Sequence, residues 1–249
     1  MQENIRFTNR SGHSLAGVLH TPSTDIIGCA LFAHCFTCTK NIKSAGRIAE
    51  TLSEQGFIVL RFDFTGLGAS SGDFSESNFS TNVDDLIDAA TYLSDTHQAP
   101  SLLVGHSLGG TAILAAASHI ESARAVASIG SPANPEHILH LLECKLDTIA
   151  EDGEAEVALG HNKFTFNQEF VNDVKAYHIN YKNLNKALMV MHSPIDTTVS
   201  IDQAAEIFSH SMHPKSFVSL DNADHLLTNK DDADYAADVL ARWAKRYTT

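Results

Sequence analysis

The segment Ser101-Leu-Leu-Val-Gly-His-Ser-Leu-Gly-Gly-Thr111 holds a serine flanked by a glycine two residues away on either side. An apolar run with Val104 near its end breaks at Gly105-His106-Ser107-Leu108-Gly109, and an Ala-rich helical pattern from Thr111 to His119 follows at once. That order is strand, sharp turn, helix. In a G-x-S-x-G turn the serine takes a strained backbone angle while the glycines let strand and helix pack closely, so the hydroxyl stands above the sheet edge at the positive end of a helix. Gly and Ser are common in ordinary turns, and the pattern alone is weak. The strand before it and the helix after it make Ser107 a candidate nucleophile.

A serine hydroxyl is a poor nucleophile at neutral pH and needs a base beside it, which in turn needs a group to fix its tautomer. For a serine on this kind of turn the partners follow in the order acid, then histidine. Asp196 comes directly after the apolar run 186–191, in His192-Ser-Pro-Ile-Asp196, and His225 comes after the run 215–220, in Asp221-Asn-Ala-Asp-His225. Both fall at the carboxyl ends of expected strands, where convergence with Ser107 is needed. The chain has 14 histidines, so position has to choose among them. His20 and His119 fall away from the relevant strand ends, and His210 and His213 flank a helix terminus. His192 is better placed to shape the loop carrying Asp196, and His106 points away from the serine's side. Asp202 competes with Asp196 but sits where a helix begins, while Asp224 reads as a solvated loop carboxylate. An oxyanion formed at the serine needs two aimed N–H donors. The amide of Leu108 supplies one, and that of Phe36, in the loop after the strand ending at His34, supplies the other.

Three other chemistries compete for parts of the chain. The Gly-rich run Phe64–Gly72 lacks the third glycine of G-x-G-x-x-G and reads as a connecting loop rather than a phosphate cradle. His137, His140 and Cys144 share one helical face, a weak pattern for a metal against a solvated or packed face, and no metal is expected. Cys35-x-x-Cys38 carries the alternative of a non-catalytic or thiol-redox protein, with a helix start close by to lower a thiol pKa. A pure binder has no need of the ordered serine, aspartate and histidine.

The elements that must position these residues alternate. Runs 5–9 and 14–20 suit a hairpin entering a sheet. Gly28–His34, Phe57–Asp63, the run before Gly105, Ala123–Gly130, Lys186–His192 and Lys215–Leu220 read as strands, with helices over 42–55, 81–93, 111–119, 202–209 and 231–247. Thr81-Asn-Val-Asp84 resembles a capping box opening the second of these helices. Strands alternating with helices imply one α/β domain over 1–249, a mostly parallel sheet with helices on both faces, and sites at the strands' carboxyl ends. Residues 131–185 are too long for an ordinary connection. They contain a helical stretch, 135–148, and an alternating run, 157–166, that turns at Gly160-His-Asn162, and they read as a small cap over the site rather than a peripheral decoration. Leu139, Leu142, Phe164, Phe166 and Phe170 are its candidate substrate-binding wall residues, with packing inside the cap as the alternative.

Lys and Arg total 17 against 30 Asp and Glu, a formal net charge of −13. A field of that sign repels nucleic acid and anionic membranes, and neither is an expected partner. No stretch has the length of a membrane span, and the N-terminus lacks a signal-like apolar core, which points to a cytoplasmic protein. Four cysteines in 249 residues do not suggest a disulfide framework.

The runs Ala33-His-Cys-Phe-Thr-Cys38, Arg61-Phe-Asp-Phe-Thr-Gly-Leu-Gly68, Gly105-His-Ser-Leu-Gly-Gly110, Met191-His-Ser-Pro-Ile-Asp196 and Ala223-Asp-His-Leu-Leu227 resemble the α/β-hydrolase superfamily, over essentially the whole chain. Within it they look like bacterial serine hydrolases related to cinnamoyl esterases and the serine aminopeptidase-like group, especially the hydrolase half of OsmC-fused proteins. The resemblance implies the α/β-hydrolase fold, a Ser107–Asp196–His225 triad, an oxyanion hole from the Phe36 and Leu108 amides, and no metal or organic cofactor. It also implies a small-molecule carboxylic ester as substrate, with thioesters and amides open to the same machinery. Many superfamily members carry His-Gly where this chain has His34-Cys35. With the sequence ending at Thr249, an OsmC-like redox partner is expected only as a separate chain.

Overall fold

Strands covered on both faces should be continuously apolar, and the computed structural model, which describes residues 1–160 and 162–248, bears this out. β3 (Gly28–Ala33), β4 (Phe57–Phe62), β5 (Leu102–His106), β6 (Ala125–Ile129) and β9 (Ala187–His192) are buried at every position. With β1 (Gln2–Thr8), β2 (Ser14–His20) and β10 (Lys215–Ser219) they form an eight-stranded sheet of order β1-β2-β4-β3-β5-β6-β9-β10. The β1–β2 and β2–β4 pairs are antiparallel, and every later pair is parallel. Helices α1 (Lys43–Glu54) and α7 (Lys230–Thr248) cover one face through Ile48, Leu52, Ala237 and Leu240. Helices α2 (Phe79–Thr96) and α3 (Leu108–Ala116) cover the other through Leu86, Leu93 and Ile113. Among the described residues no helix is long and apolar enough to cross a membrane.

Between β6 and β9 the insertion supplies a 3₁₀ helix, Pro135–Lys145, then α4 (Leu146–Asp152), the antiparallel pair β7 (Glu154–Leu159) and β8 (Asn162–Asn167), and α5 (Gln168–Ala176). The expected hairpin turn includes His161, which lies outside the described residues. α6 (Ile201–His210) joins β9 to β10.

Three local expectations change. Helix α2 starts earlier than residue 81, because the capping box uses Asn78: its side chain accepts from the Thr81 amide, and Thr81 Oγ1 accepts from the Asn78 amide at 2.8 Å. The 135–148 stretch is not one α-helix but a 3₁₀ helix giving way to α4 at Leu146. Cys35 and Cys38 are joined in a disulfide, since the chain reverses at Thr37, with φ of 56°, and brings their Cα atoms to 5.3 Å. Cysteine count argues about frameworks and says nothing of such a three-residue link.

Candidate active site

Ser107 stands between β5 and α3 with φ 54° and ψ −133°. A non-glycine residue holds that conformation only where its surroundings over-determine it. The neighbours do so. A Cβ at Gly105 would lie 2.4 Å from the Gly109 carbonyl oxygen, and one at Gly109 would lie 2.1 Å from that of His34. Only bare Cα atoms allow strand, elbow and helix to approach this closely.

His225 Nε2 lies 2.9 Å from Ser107 Oγ, and its Nδ1 lies 2.7 Å from Asp196 Oδ2. The carboxylate accepts the Nδ1 proton, so Nε2 is left to accept from the serine hydroxyl. Asp196 is itself fixed: its Oδ1 accepts from the amides of Thr198 (2.8 Å) and Val199 (2.9 Å). Burial works to raise its pKa, yet the bond from His225 and those two amides together hold it below the usual carboxylate value. Gly130, at φ 56°, leaves room beside this pair; a Cβ there would be 3.5 Å from both Asp196 Oδ2 and His225 Nδ1.

Leu108 is the first residue of α3, and its amide has no acceptor within the helix. Among the described residues neither it nor the Phe36 amide is engaged by a backbone carbonyl outside the regular elements. Both residues line, with Ser107 and His225, a cavity of about 150 Å³. The loop bearing Phe36 is held at both ends. His34 Nδ1 donates to the Cys35 carbonyl at 2.8 Å, while the Lys40 amide donates to Asp63 Oδ1 at 2.6 Å and its ammonium to Oδ2. Arg61 Nη1 donates to the Lys40 carbonyl. The Phe36 ring packs 5.9 Å from both Phe166 and Phe170 and 6.0 Å from Phe74.

The structure places Ser107, Asp196 and His225 together with Phe36 and Leu108 beside them, and residues of the insertion line the same cavity. The expected wall residues do not line it. Leu139, Leu142, Phe166 and Phe170 are buried in the core cluster that the insertion shares with the α2–α3 side of the sheet, and Phe164 packs against Phe74 at 4.8 Å. The cavity is walled instead by Ile138, Leu141 and Leu159, with His137 and His140 beside them. In a 3₁₀ helix residues three apart eclipse, so 137/140, 138/141 and 139/142 form three ridges; the first two line the cavity and the third is buried. Sequence reasoning also missed the ion pair of Lys40 with Asp63, whose parts lie on separate elements.

This fold and geometry define an α/β-hydrolase of the serine hydrolase class. Residues 38–176 match the family described as serine aminopeptidase, S33, and the chain belongs to it. It is similar to the esterase domain of a Rhodothermus marinus protein, at 42% identity and a TM-score of 0.82, with each chain covered over 100% of its length. Alpha/beta hydrolase domain-containing protein 10 from mouse shares the fold at 19% identity and a TM-score of 0.79, over 98% of this chain and 99% of that one. Palmitoyl-protein thioesterase ABHD10, mitochondrial, of Rattus norvegicus is 27% identical over 177 residues, which are 69% of this chain and 55% of that protein. The match thus spans about half the length of that relative.

Proposed function

We propose that the protein hydrolyses carboxylic esters, and thioesters by the same route, through an acyl-enzyme on Ser107. The observation that carries this reading is the unbroken line Ser107 Oγ, His225, Asp196, at 2.9 and 2.7 Å. Ser107 Oγ attacks the acyl carbonyl as its proton passes to His225 Nε2, and Asp196 stabilises the imidazolium that results. The amides of Phe36 and Leu108 hold the oxyanion. Collapse returns the proton to the leaving oxygen or sulfur, and water, deprotonated by His225, then releases the acid.

The cavity favours small acyl groups. About 150 Å³ is below the roughly 300 Å³ at which drug-sized pockets begin and comparable to a cavity that holds benzene. A palmitoyl chain would have to leave it over the open rim. Labelling with a fluorophosphonate tests the reading: stoichiometric modification at Ser107, absent in Ser107→Ala, is expected, and an unlabelled wild-type protein would refute it.

A second reading, thiol–disulfide exchange, draws on the Cys35–Cys38 disulfide lining the same cavity. Disulfide reduction and ester hydrolysis measured side by side separate the two. A native reductase activity lost in Cys35→Ser/Cys38→Ser, with no ester turnover in either protein, would favour it.

A further inference from the structure

The strands that lead into the site end on histidines: β3 runs into His34, β5 ends at His106 and β9 at His192. All three are at most 2% exposed, and the reaction just described uses none of them. Each instead meets one backbone carbonyl. His34 Nδ1 meets that of Cys35 at 2.8 Å, His106 Nε2 that of His225 at 2.6 Å, and His192 Nε2 that of Val199 at 2.8 Å.

A carbonyl only accepts, so the ring nitrogen facing it carries the proton. The other nitrogen of each ring, His34 Nε2, His106 Nδ1 and His192 Nδ1, is buried with no partner among the described residues. Protonating it would bury an unpaired N–H and a charge. Each ring is therefore neutral, with its single N–H committed to a carbonyl. Burial foremost, and then the neighbouring His225, pushes His106 down to about 4; burial likewise lowers His192.

Two of these contacts fall on the loops of the base and the acid. His106, adjacent to the nucleophile, grips the main chain of His225, 119 positions away. Beyond the ring of His225 itself, the loop's other ties include the Leu220 amide to the His192 carbonyl where it leaves β10, and three local bonds, the Ala223 amide to Leu220, the Leu227 amide to Asp224, and the Thr228 amide to the Asp224 side chain. His192 grips the carbonyl of Val199, the residue whose amide holds Asp196 Oδ1. We propose that His106 and His192 are positioning residues, each using its one N–H to fix the main chain of the base loop or the acid loop and so setting His225 between Ser107 and Asp196. The proposal rests on the reading of those three residues as nucleophile, base and acid.

Two measurements test it. Nitrogen-15 NMR of histidine-labelled wild type at neutral pH should show both rings as neutral Nε2–H tautomers; an Nδ1–H tautomer or an imidazolium at either would overturn the assignment for that residue, and no variant has to fold. Fluorophosphonate labelling and p-nitrophenyl acetate kinetics then compare His106→Phe, which keeps a ring but no donor, with His106→Gln, whose amide N–H reaches as far. The Phe variant should lose about tenfold in labelling rate and kcat, the size of one hydrogen bond near 1.4 kcal/mol, with KM within about twofold. Gln should recover to within about threefold of wild type. His192→Phe and His192→Gln should behave alike. A Phe variant labelled at the wild-type rate, or a Gln variant no better than Phe, would overturn the positioning role. Wild type that fails to label at Ser107 would instead strike the reading beneath it.

Discussion

At the scale of single residues, the Ser107 turn, with its φ of 54°, is made by the glycines around it and not by its hydroxyl. Ser107→Ala should therefore fold with an unchanged melting temperature, within about 2 °C, while kcat falls by up to about 10⁶-fold because the covalent route is gone. Near-native p-nitrophenyl acetate turnover in pure Ser107→Ala would sink the assignment. Asp196→Asn removes the charge that accepts from His225 Nδ1 and that stabilises an imidazolium, while keeping the volume. A drop of about 10⁴-fold in kcat is expected, with the imidazole in the wrong tautomer. Active-site titration alongside the kinetics checks that the loss is in rate and not in the folded fraction.

At the scale of elements, the loop after β3 is anchored by charge as well as by sulfur. The Lys40–Asp63 pair is nearly fully buried, with side chains 8% and 0% exposed, and removing one partner of such a pair strands the other at about 3–5 kcal/mol. Asp63→Asn should lower stability by that order and ester turnover with it. Cys35→Ser/Cys38→Ser, with the Lys40 anchor intact, should keep kcat within about threefold; urea unfolding and kinetics on both variants decide which anchor dominates. In the cap, Leu141→Ala should widen the cavity and raise kcat/KM for hexanoate relative to acetate esters. Phe166→Ala should instead cost roughly 3–5 kcal/mol of stability, since that ring is 1% exposed and packs on Phe36. Equal chain-length profiles for wild type and Leu141→Ala would show that Leu141 does not bound the acyl group. What is readable from sequence at this scale is whatever is local: Asp196 and His225 lie in the loops that follow β9 and β10, and the elbow is contiguous. The ridge of the cap that faces Ser107 was not readable, because 3₁₀ and α windings of Pro135–Lys145 carry the same apolar composition and tertiary packing selects between them. Nor was the Cys35–Cys38 link, which depends on the backbone reversal at Thr37.

At the scale of the molecule, the strand order places the candidate nucleophile just past the end of β5, with β3 and β6 on either side, and the acid in the loop after β9. Alternation of apolar runs foretold a mostly parallel sheet with helices on both faces; it did not foretell how many polar groups that arrangement buries at the strand ends. Those groups make stability depend on pH. His20 and His106 are each pushed from 6.5 to about 4, in both cases mainly by burial, with Arg61 adding to it at His20 and His225 at His106. Between about pH 6.5 and 4 the unfolded chain binds protons that the folded chain refuses, so stability rises with pH across that window and falls on acidification. The shift at His106 alone corresponds to on the order of 3 kcal/mol when fully expressed. Opposing it, acidification relieves the self-repulsion of a chain with net charge −13, but exposed charges are screened and contribute under about 1 kcal/mol per pair. Asp196, held below its ordinary value, adds a further loss only below about pH 4. Urea unfolding at pH 7, 6, 5 and 4.5 should show falling stability, and His106→Gln, which has no imidazole to protonate, should show a flatter decline. Stability that stays level or rises from pH 7 to 4.5 would mean that the buried imidazoles meet solvent or a counter-charge on protonation, and that charge relief outweighs them.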